Sequence, residues 1–140
     1  MHGNPQTMQT MPMAGDALPQ VLSFLELQAH VLIELEVKKT RIMIDPGIGF
    51  GKTVEQNFAL LARQRELLAL GYPLLAGWSR KSSLGVVTGL EVGERLLPSV
   101  VAAVLAAERG ASVLRVHDVR ATVQALAVWR KTVAADAAIN

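Results

Sequence analysis

Three short apolar runs, each followed by a polar turn and then by a helical pattern, constrain the fold of this chain more than any other feature. The runs cover residues 41–44, 73–78 and 113–117. Short buried runs that alternate with helical periodicity are typical of parallel strands joined by helical crossovers. The sequence therefore predicts an α/β fold with parallel strands alternating with helices.

Helical patterns precede, separate and follow these runs. Apolar residues recur at helical spacing within 19–35, and Thr53 is a suitable cap for a helix that runs to Gly71. A short helical stretch follows the second strand, and longer helices are predicted over 98–109 and 121–134. The predicted order is loop, α, β, α, β, α, β, α.

The sheet predicted from these units is thin. Three parallel strands would leave unpaired edges and one uncovered face, whereas a complete (β/α)8 barrel of about 250 residues closes both. Residues 1–18 are rich in Gly, Pro, Gln, Thr and Met and lack the period of a helix or a strand, so they predict a loop that follows a missing strand. Residues 19–140 are then expected to form part of a barrel domain.

Composition narrows the functional class. The formal net charge of +2 comes from 14 basic and 12 acidic residues without long runs of like charge, which gives no support for nucleic-acid binding. The strongly apolar stretch at 98–107 is too short to span a bilayer, so a soluble protein is expected. The chain has no cysteine, which fits a reducing cytoplasmic setting. His2 and His30 lack partners at metal-ligand spacing, and no metal site is predicted.

Polar residues cluster where the predicted strands end, which is where barrel enzymes carry their active sites. Asp45 ends the first strand, and its carboxylate could accept two hydrogen bonds from a flat, guanidine-like edge. An Asp that caps its own turn before Pro46 is the alternative. The glycines that follow allow close approach of a ligand to the backbone, but Pro46 and Lys52 break the spacings of the nucleotide-binding loops.

Arg115 and His117 stand two residues apart on the third predicted strand, so they point to one face of the sheet. An arginine that faces a barrel interior is costly unless it meets an anion, and the pair therefore predicts a diphosphate site. A structural ion pair of Arg115 with Asp45 or Asp118 is the alternative.

Three motifs resemble, in order and approximate spacing, the downstream motifs of the dihydropteroate synthase family. They are DPGIGFGK at 45–52, GWSRKSSLG at 77–85 and LRVHDV at 114–119, and the opening HGNPQTMQ is similar to the loop after the fifth strand of that family. The resemblance covers nearly the whole chain. It implies the C-terminal half of a (β/α)8 TIM barrel, with 19–140 as a partial pterin-binding domain and the N-terminal strands and catalytic loops absent.

The resemblance also implies a reaction, the condensation of 6-hydroxymethyl-7,8-dihydropterin diphosphate with 4-aminobenzoate to 7,8-dihydropteroate and diphosphate in folate biosynthesis. It implies that Lys81 lies over the pterin and Ser79 near the aminobenzoate carboxylate, while Arg80 is read as structural or solvent-facing. Lys81 and Arg115 are the expected catalytic residues. The substrate-binding set is Asp45, Gly49, Phe50, Gly77, Ser79, Lys81, Arg115 and His117.

Some alternatives stay open at this stage. Phe50 could be a hydrophobic plug, and the turn at 79–82 could be a solvated loop. Mg²⁺ is expected to help the diphosphate leave, with its main protein ligand in the missing N-terminal part. Either a homodimer or a complement to the missing N-terminal half is expected as the assembly.

Two other functional classes are compatible with the sequence. One is a pterin-binding barrel of the methyltetrahydrofolate methyltransferase type, and the other is a noncatalytic interaction fragment. The turn at 79–82 together with Arg115 and His117 argues against the first of these, because methyl transfer needs no diphosphate site. Self-association without ligand binding would distinguish the second.

Overall fold

The computed structural model describes residues 14–138. Within this range, helices and strands alternate along the chain. The α-helices are α1 (Ala17–Glu34), α2 (Val54–Ala62), α3 (Ser82–Thr88), α4 (Leu96–Glu108) and α5 (Val119–Ala137). The strands are β1 (Leu75–Ala76) and β2 (Val113–Leu114), and short 3-10 helices cover Lys39–Arg41, Gln64–Leu70 and Val92–Glu94.

The three predicted apolar runs lie side by side in parallel. β1 pairs with β2 through Leu75 with Val113 and Ala76 with Leu114, and Ile44 makes an isolated parallel bridge to Leu74 on the other side of β1. The α/β class and the parallel pairing are thus confirmed. In the described residues, however, they form only this small sheet.

The first predicted strand, 41–44, is wrong in extent. The backbone N–H groups of Arg41 and Ile42 donate to the carbonyl oxygens of Lys38 and Lys39, so a 3-10 turn uses donors that a ladder would need. Only Ile44 reaches the sheet, donating to the carbonyl of Pro73 at 2.9 Å. The other two runs shrink to strands of two residues each.

Helix α1 begins within the predicted opening loop. Asp16 is its N-cap and accepts the N–H of Leu18 at 3.0 Å, so Ala17 and Leu18 are helical. Both are almost completely buried. Residues 14–16 are outside the helix, as the loop prediction requires, and residues 1–13 lie outside the described residues.

The helix predicted from Thr53 to Gly71 divides into two parts. Thr53 and Gln56 form a reciprocal capping box, which confirms the predicted cap. α2 ends at Ala62, and a 3-10 helix continues to Gly71, which has φ of 72°. At the start of this 3-10 helix, the buried Gln64 side-chain amide donates at 2.8 Å to the Ala106 carbonyl near the end of α4.

The core lies between the strands and helices α1, α2 and α4. Its largest fully buried side chains include Trp78, Leu18, Leu60, Leu67 and Leu74, and the Trp78 ring packs against that of Phe58 with centroids 5.2 Å apart. Because Trp78 directly precedes the second polar turn, its burial anchors that turn on the core. No helix in residues 14–138 is both long and apolar enough to cross a membrane.

We expect Thr53→Ala to lower the free energy of unfolding by about 1 kcal/mol, because the first turn of α2 would lose its capping hydroxyl. Urea denaturation followed by circular dichroism measures the change. Thr132→Ala is the matched control, since the Thr132 hydroxyl is exposed and bonds only to the Val128 carbonyl of its own helix. Equal stability of the two variants would contradict the capping role.

Candidate functional site

Parallel pairing brings three polar segments to one edge of the sheet. The glycine loop at 45–52 follows Ile44, the turn at 77–82 follows β1, and residues 115–118 follow β2. Because parallel strands end on the same side, side chains that are far apart in sequence meet there. All of the predicted site residues lie in these three segments.

Asp45 takes part in both of the structural contacts that were considered as alternatives to a ligand role. Its Oδ1 accepts the N–H of Gly47 at 2.8 Å, which closes the turn, and its Oδ2 lies 3.6 Å from Nη2 of Arg115. The second distance is that of an ion pair without a hydrogen bond. A ligand donor could therefore replace Arg115 at Oδ2 without opening the turn.

The glycine loop makes room for Lys81. Gly47, Gly49 and Gly51 all have positive φ, and a Cβ built on Gly49 would lie 3.1 Å from Cδ of Lys81. The Lys81 ammonium lies 4.2 Å from the centroid of the Phe50 ring, within cation–π range. Phe50 is half-buried and lies outside the core cluster, so its contact with Lys81 is at the site.

The charge of Lys81 is sensitive to its surroundings. Burial lowers the pKa of Lys81 most, the nearby Arg115 guanidinium lowers it further, and Asp45 partly opposes both effects. Lys81 also stands at the N-cap position of α3. These interactions couple the second turn electrostatically to the first and third segments.

Arg115 lies across the end of β1. A Cβ on Gly77 would come within 2.8 Å of Nη2 of Arg115, so the absence of a side chain at Gly77 allows the guanidinium to reach Asp45. The Arg115 side chain is 61% exposed, and an anion from solvent can reach it. Leu114 and Val116, on either side, are more buried than Arg115 and His117.

Ser79 and His117 form a second contact between the turns. The Ser79 hydroxyl is buried, accepts the backbone N–H of His117 at 3.1 Å and lies 2.9 Å from its Nδ1. The predicted site residues Ser79 and His117 are therefore direct neighbours.

Arg80 fixes the conformation of the turn that contains Ser79 and Lys81. It has φ of 58°, an uncommon value for a residue with a side chain. Its N–H donates to the Ser99 hydroxyl at 2.9 Å, and its guanidinium binds both oxygens of Asp118 at 2.9 and 3.2 Å. The hydrogen bonds from Arg80 lower the pKa of Asp118. Arg80 is thus structural, as expected from the sequence.

Lys52 is a feature of the site that sequence reasoning missed. It is only 6% exposed, and its ammonium donates to the carbonyls of Gly47 at 2.9 Å and Phe50 at 3.1 Å. Burial lowers its pKa, Asp45 opposes this, and Lys81 adds to it. From the sequence, Lys52 served only to exclude a nucleotide-binding loop. The available signal in the sequence was a lysine directly after three alternating glycines. A loop of this kind can turn its backbone carbonyls towards such a lysine, as Gly47 and Phe50 do here.

Asn57 is the second residue that was missed. Its buried side chain accepts the N–H of Gly49 at 2.9 Å and donates to Thr53 and to the Ser83 hydroxyl. Asn57 therefore connects the glycine loop to both α2 and α3. Nothing in the helical pattern of α2 marked it, because a polar residue in a surface helix is unremarkable.

The site as a whole favours anions. The cations Lys52, Arg80, Lys81 and Arg115 outnumber the carboxylates of Asp45 and Asp118, and an excess of positive charge attracts anionic ligands. Among residues 14–138, no group of three or more His, Cys, Asp and Glu side chains could hold a metal ion.

Comparison with known proteins agrees with this geometry. The chain is 42% identical over 132 residues to the dihydropteroate synthase of Haemophilus influenzae, and 44% identical over 133 residues to that of Neisseria meningitidis serogroup B. These alignments cover 94% and 92% of this chain but 48% and 47% of the relatives. The chain therefore spans about half the length of the curated relatives it matches.

Solved structures give the same result. The dihydropteroate synthase of Stenotrophomonas maltophilia, with imidazole bound in its active site, has a TM-score of 0.91 at 44% identity and covers 94% of this chain and 50% of its own. That of Xanthomonas albilineans in complex with 7,8-dihydropteroate has a TM-score of 0.84 at 46% identity, over 87% and 49%. The sequence model of the pterin-binding enzymes matches residues 1–117. The chain belongs to the family of pterin-binding enzymes.

Proposed function

We propose that this chain is the C-terminal half of a (β/α)8 TIM barrel and carries the substrate site of a dihydropteroate synthase. The reaction joins 6-hydroxymethyl-7,8-dihydropterin diphosphate to 4-aminobenzoate and yields 7,8-dihydropteroate and diphosphate in folate biosynthesis. One observation carries the proposal. Asp45, Lys81 and Arg115 come after Ile44, β1 and β2, the three segments that pair in parallel, and they converge into one cluster. Relatives and solved structures with these substrates and products support it.

The pterin ring is proposed to bind between the first two segments. The Oδ2 atom of Asp45 would accept hydrogen bonds from the flat edge of the ring. To do so it would lose its ion pair with Arg115, in which the two atoms are 3.6 Å apart. The Lys81 ammonium and the Phe50 ring, 4.2 Å apart, would contact its face. Gly49 allows this approach because it presents no side chain to Lys81.

The diphosphate is proposed to lie at Arg115 and His117. In the reaction, the bond from the pterin methylene carbon to the diphosphate oxygen breaks, and the amine nitrogen of 4-aminobenzoate forms a bond to that carbon and loses a proton. Arg115 and Lys81 would stabilise the departing anion, and the fixed turns would position both reactants. Gly77 keeps the space that Arg115 needs.

Ser79 is proposed to bind the carboxylate of 4-aminobenzoate. Its hydroxyl contacts His117 in the described structure, so it would have to rotate its proton towards the substrate while it keeps the His117 N–H. Ser79 and His117 would then connect the aminobenzoate position to the diphosphate position.

Magnesium and the assembly need more than the described residues supply. These residues lack a metal cluster, so we assign the Mg²⁺ ligands to the half of the relatives that this chain does not match.

The proposed assembly is a complex of this chain with that other half, or a homodimer, in a cytoplasmic setting. The cationic cluster favours the synthase over a methyltransferase-type barrel, because methyl transfer releases no diphosphate.

We expect Arg115→Ala to weaken the binding of pterin diphosphate by roughly 10- to 100-fold, the range for losing a hydrogen bond to a charged group. Calorimetric titration in magnesium, with pterin plus pyrophosphate as a second ligand, measures this loss. Arg120→Ala on the exposed surface of α5 is the matched control. No binding to a wild-type chain that circular dichroism shows to be folded would overturn the proposed function for this chain.

Gly77→Ala tests the space left for Arg115. The added Cβ would meet the guanidinium at 2.8 Å, so Arg115 must move away from Asp45, and we expect affinity for pterin diphosphate to fall roughly tenfold, or about 1.4 kcal/mol. Gly93→Ala is the matched control because its Cβ would meet nothing within 4 Å. If both variants bind alike, the position of Arg115 does not matter for the ligand.

The lowered pKa of Lys81 predicts a pH dependence. Lys81 is charged below its pKa and neutral above it, so a pKa below the ordinary 10.5 removes its charge at a lower pH than for an exposed lysine. We expect the affinity for pterin diphosphate to decline as the pH rises towards 10.5. Titrations at several pH values should show this decline in the wild type and a smaller one in Lys81→Arg, whose guanidinium stays charged. Identical profiles would exclude Lys81.

A further inference from the structure

The backbone of Arg80 is bound by residues at the start of α4. Its N–H donates to the Ser99 hydroxyl at 2.9 Å, and its carbonyl accepts from Nη1 of Arg95 at 3.2 Å. A left-handed φ of 58° is unfavourable for a residue with a side chain, so it persists only where the surroundings impose it. Arg95 and Ser99 thus bind both backbone polar groups of the strained residue.

Arg95 reaches Arg80 across the buried Gly85 of α3. It directly precedes α4, and its Nε donates to the carbonyl of Leu90 at 2.9 Å. The three atoms nearest to a Cβ built on Gly85 all belong to the Arg95 guanidinium, and Nε would be only 2.6 Å away. Glycine is disfavoured relative to alanine inside a helix, and Gly85 stands in the middle of α3. The guanidinium of Arg95 supplies a reason for glycine at this position.

Ser99 adds a second connection between Arg95 and Arg80. Its side chain is buried, and its hydroxyl donates to the Arg95 carbonyl one turn earlier in the chain. A hydroxyl has one proton and two lone pairs, so the same oxygen can also accept the N–H of Arg80. Arg95 therefore acts on Arg80 directly through its side chain and indirectly through its carbonyl.

The ion pair of Arg80 with Asp118 does not replace these contacts. That pair fixes the end of a long side chain, whose rotatable bonds leave the backbone dihedral angles undetermined. Hydrogen bonds to the N–H and to the carbonyl act on the peptide groups themselves. The conformation of the turn therefore depends on α4 more than on the third segment.

The two neighbours of Arg80 are residues of the candidate site. Ser79 contacts His117 through its hydroxyl, and the Lys81 ammonium lies 4.2 Å from the centroid of the Phe50 ring. A rotation of the backbone at Arg80 would change the direction of the chain on both sides of it. Both side chains would then leave the positions that the proposed substrate binding requires.

We propose that Arg95 is a positioning residue of the substrate site, which holds Arg80 in its left-handed conformation and thereby places Ser79 and Lys81. The inference rests on the proposed function for the identity of the ligand. Gly85 admits the guanidinium to this position. Because Arg95 acts through the turn, its loss should change the Arg80 peptide groups and the ligand affinity together.

Amide hydrogen exchange followed by nuclear magnetic resonance tests the turn without a ligand. In Arg95→Ala, we expect the Arg80 amide to exchange at least about tenfold faster than in the wild type, because the turn loses a hydrogen bond from a charged group. The amide of Leu75, which donates within the sheet, should exchange as before. A local change of this kind would separate an altered turn from general unfolding.

Calorimetric titration with pterin diphosphate in magnesium tests the ligand site. We expect Arg95→Ala to bind at least about tenfold more weakly than the wild type. Arg95→Lys should recover part of the loss, because its ammonium can still donate to the Arg80 carbonyl. Arg65→Ala is the matched control, since Arg65 also donates to a backbone carbonyl, that of Glu108 at the other end of α4.

Gly85→Ala separates positioning from stability. Alone, it should displace the guanidinium and weaken binding as Arg95→Ala does. Added to Arg95→Ala, it should cost no further affinity and should raise the melting temperature, because alanine favours the helix once the guanidinium is gone. A role of Arg95 in stability alone would instead let the affinity recover with the melting temperature.

Equal affinity of Arg95→Ala and Arg65→Ala would overturn the proposal. So would an unchanged exchange rate of the Arg80 amide in Arg95→Ala, or a recovery of affinity in the double variant. Arg95→Lys carries the same comparisons if Arg95→Ala does not fold. A wild-type chain that binds no pterin diphosphate, while its Arg80 amide responds to Arg95→Ala, would count against the proposed function alone.

Discussion

The parallel pairing of three short segments is the constraint on which the rest of the structure depends. Ile44, the strand at Leu75–Ala76 and the strand at Val113–Leu114 are held together by a few backbone hydrogen bonds. Because they run in the same direction, three polar segments from distant parts of the sequence end on one edge. The buried Trp78, two residues after the central strand, holds that edge on the core.

A second layer of contacts converts this edge into a defined site. The Lys52 ammonium donates hydrogen bonds to carbonyls of the glycine loop, and the Asn57 side chain connects that loop to α2 and α3 by hydrogen bonds. Arg80, with its left-handed backbone and its pair with Asp118, connects the second turn to the third segment. The flexible Lys81 and Arg115 side chains therefore meet on a framework that is largely set before any ligand arrives, which lowers the entropic cost of binding.

The same architecture is open on one side. The last strand has a free edge beside an apolar stripe of α5, and the anion-attracting cluster lies at the end of that edge. An exposed strand edge beside exposed apolar side chains is a template for pairing with another segment. Arg115 belongs to the candidate site and also lines a groove beside the last strand.

The sequence by itself determined the alternation of strands and helices, the cap at Thr53, and the family resemblance of the motifs in 45–52, 77–85 and 114–119. These depend on local hydrogen bonding, residue period and short spacing. Only the tertiary structure decided the length of the strands, the 3-10 winding after α2 and the burial of Lys52 and Asn57. The burial of Asn57 and of Gln64 involves partners that no local pattern specifies. Gln64 bonds to a carbonyl 42 residues away and Asn57 to a hydroxyl 26 residues away, and only the folded chain brings such groups together.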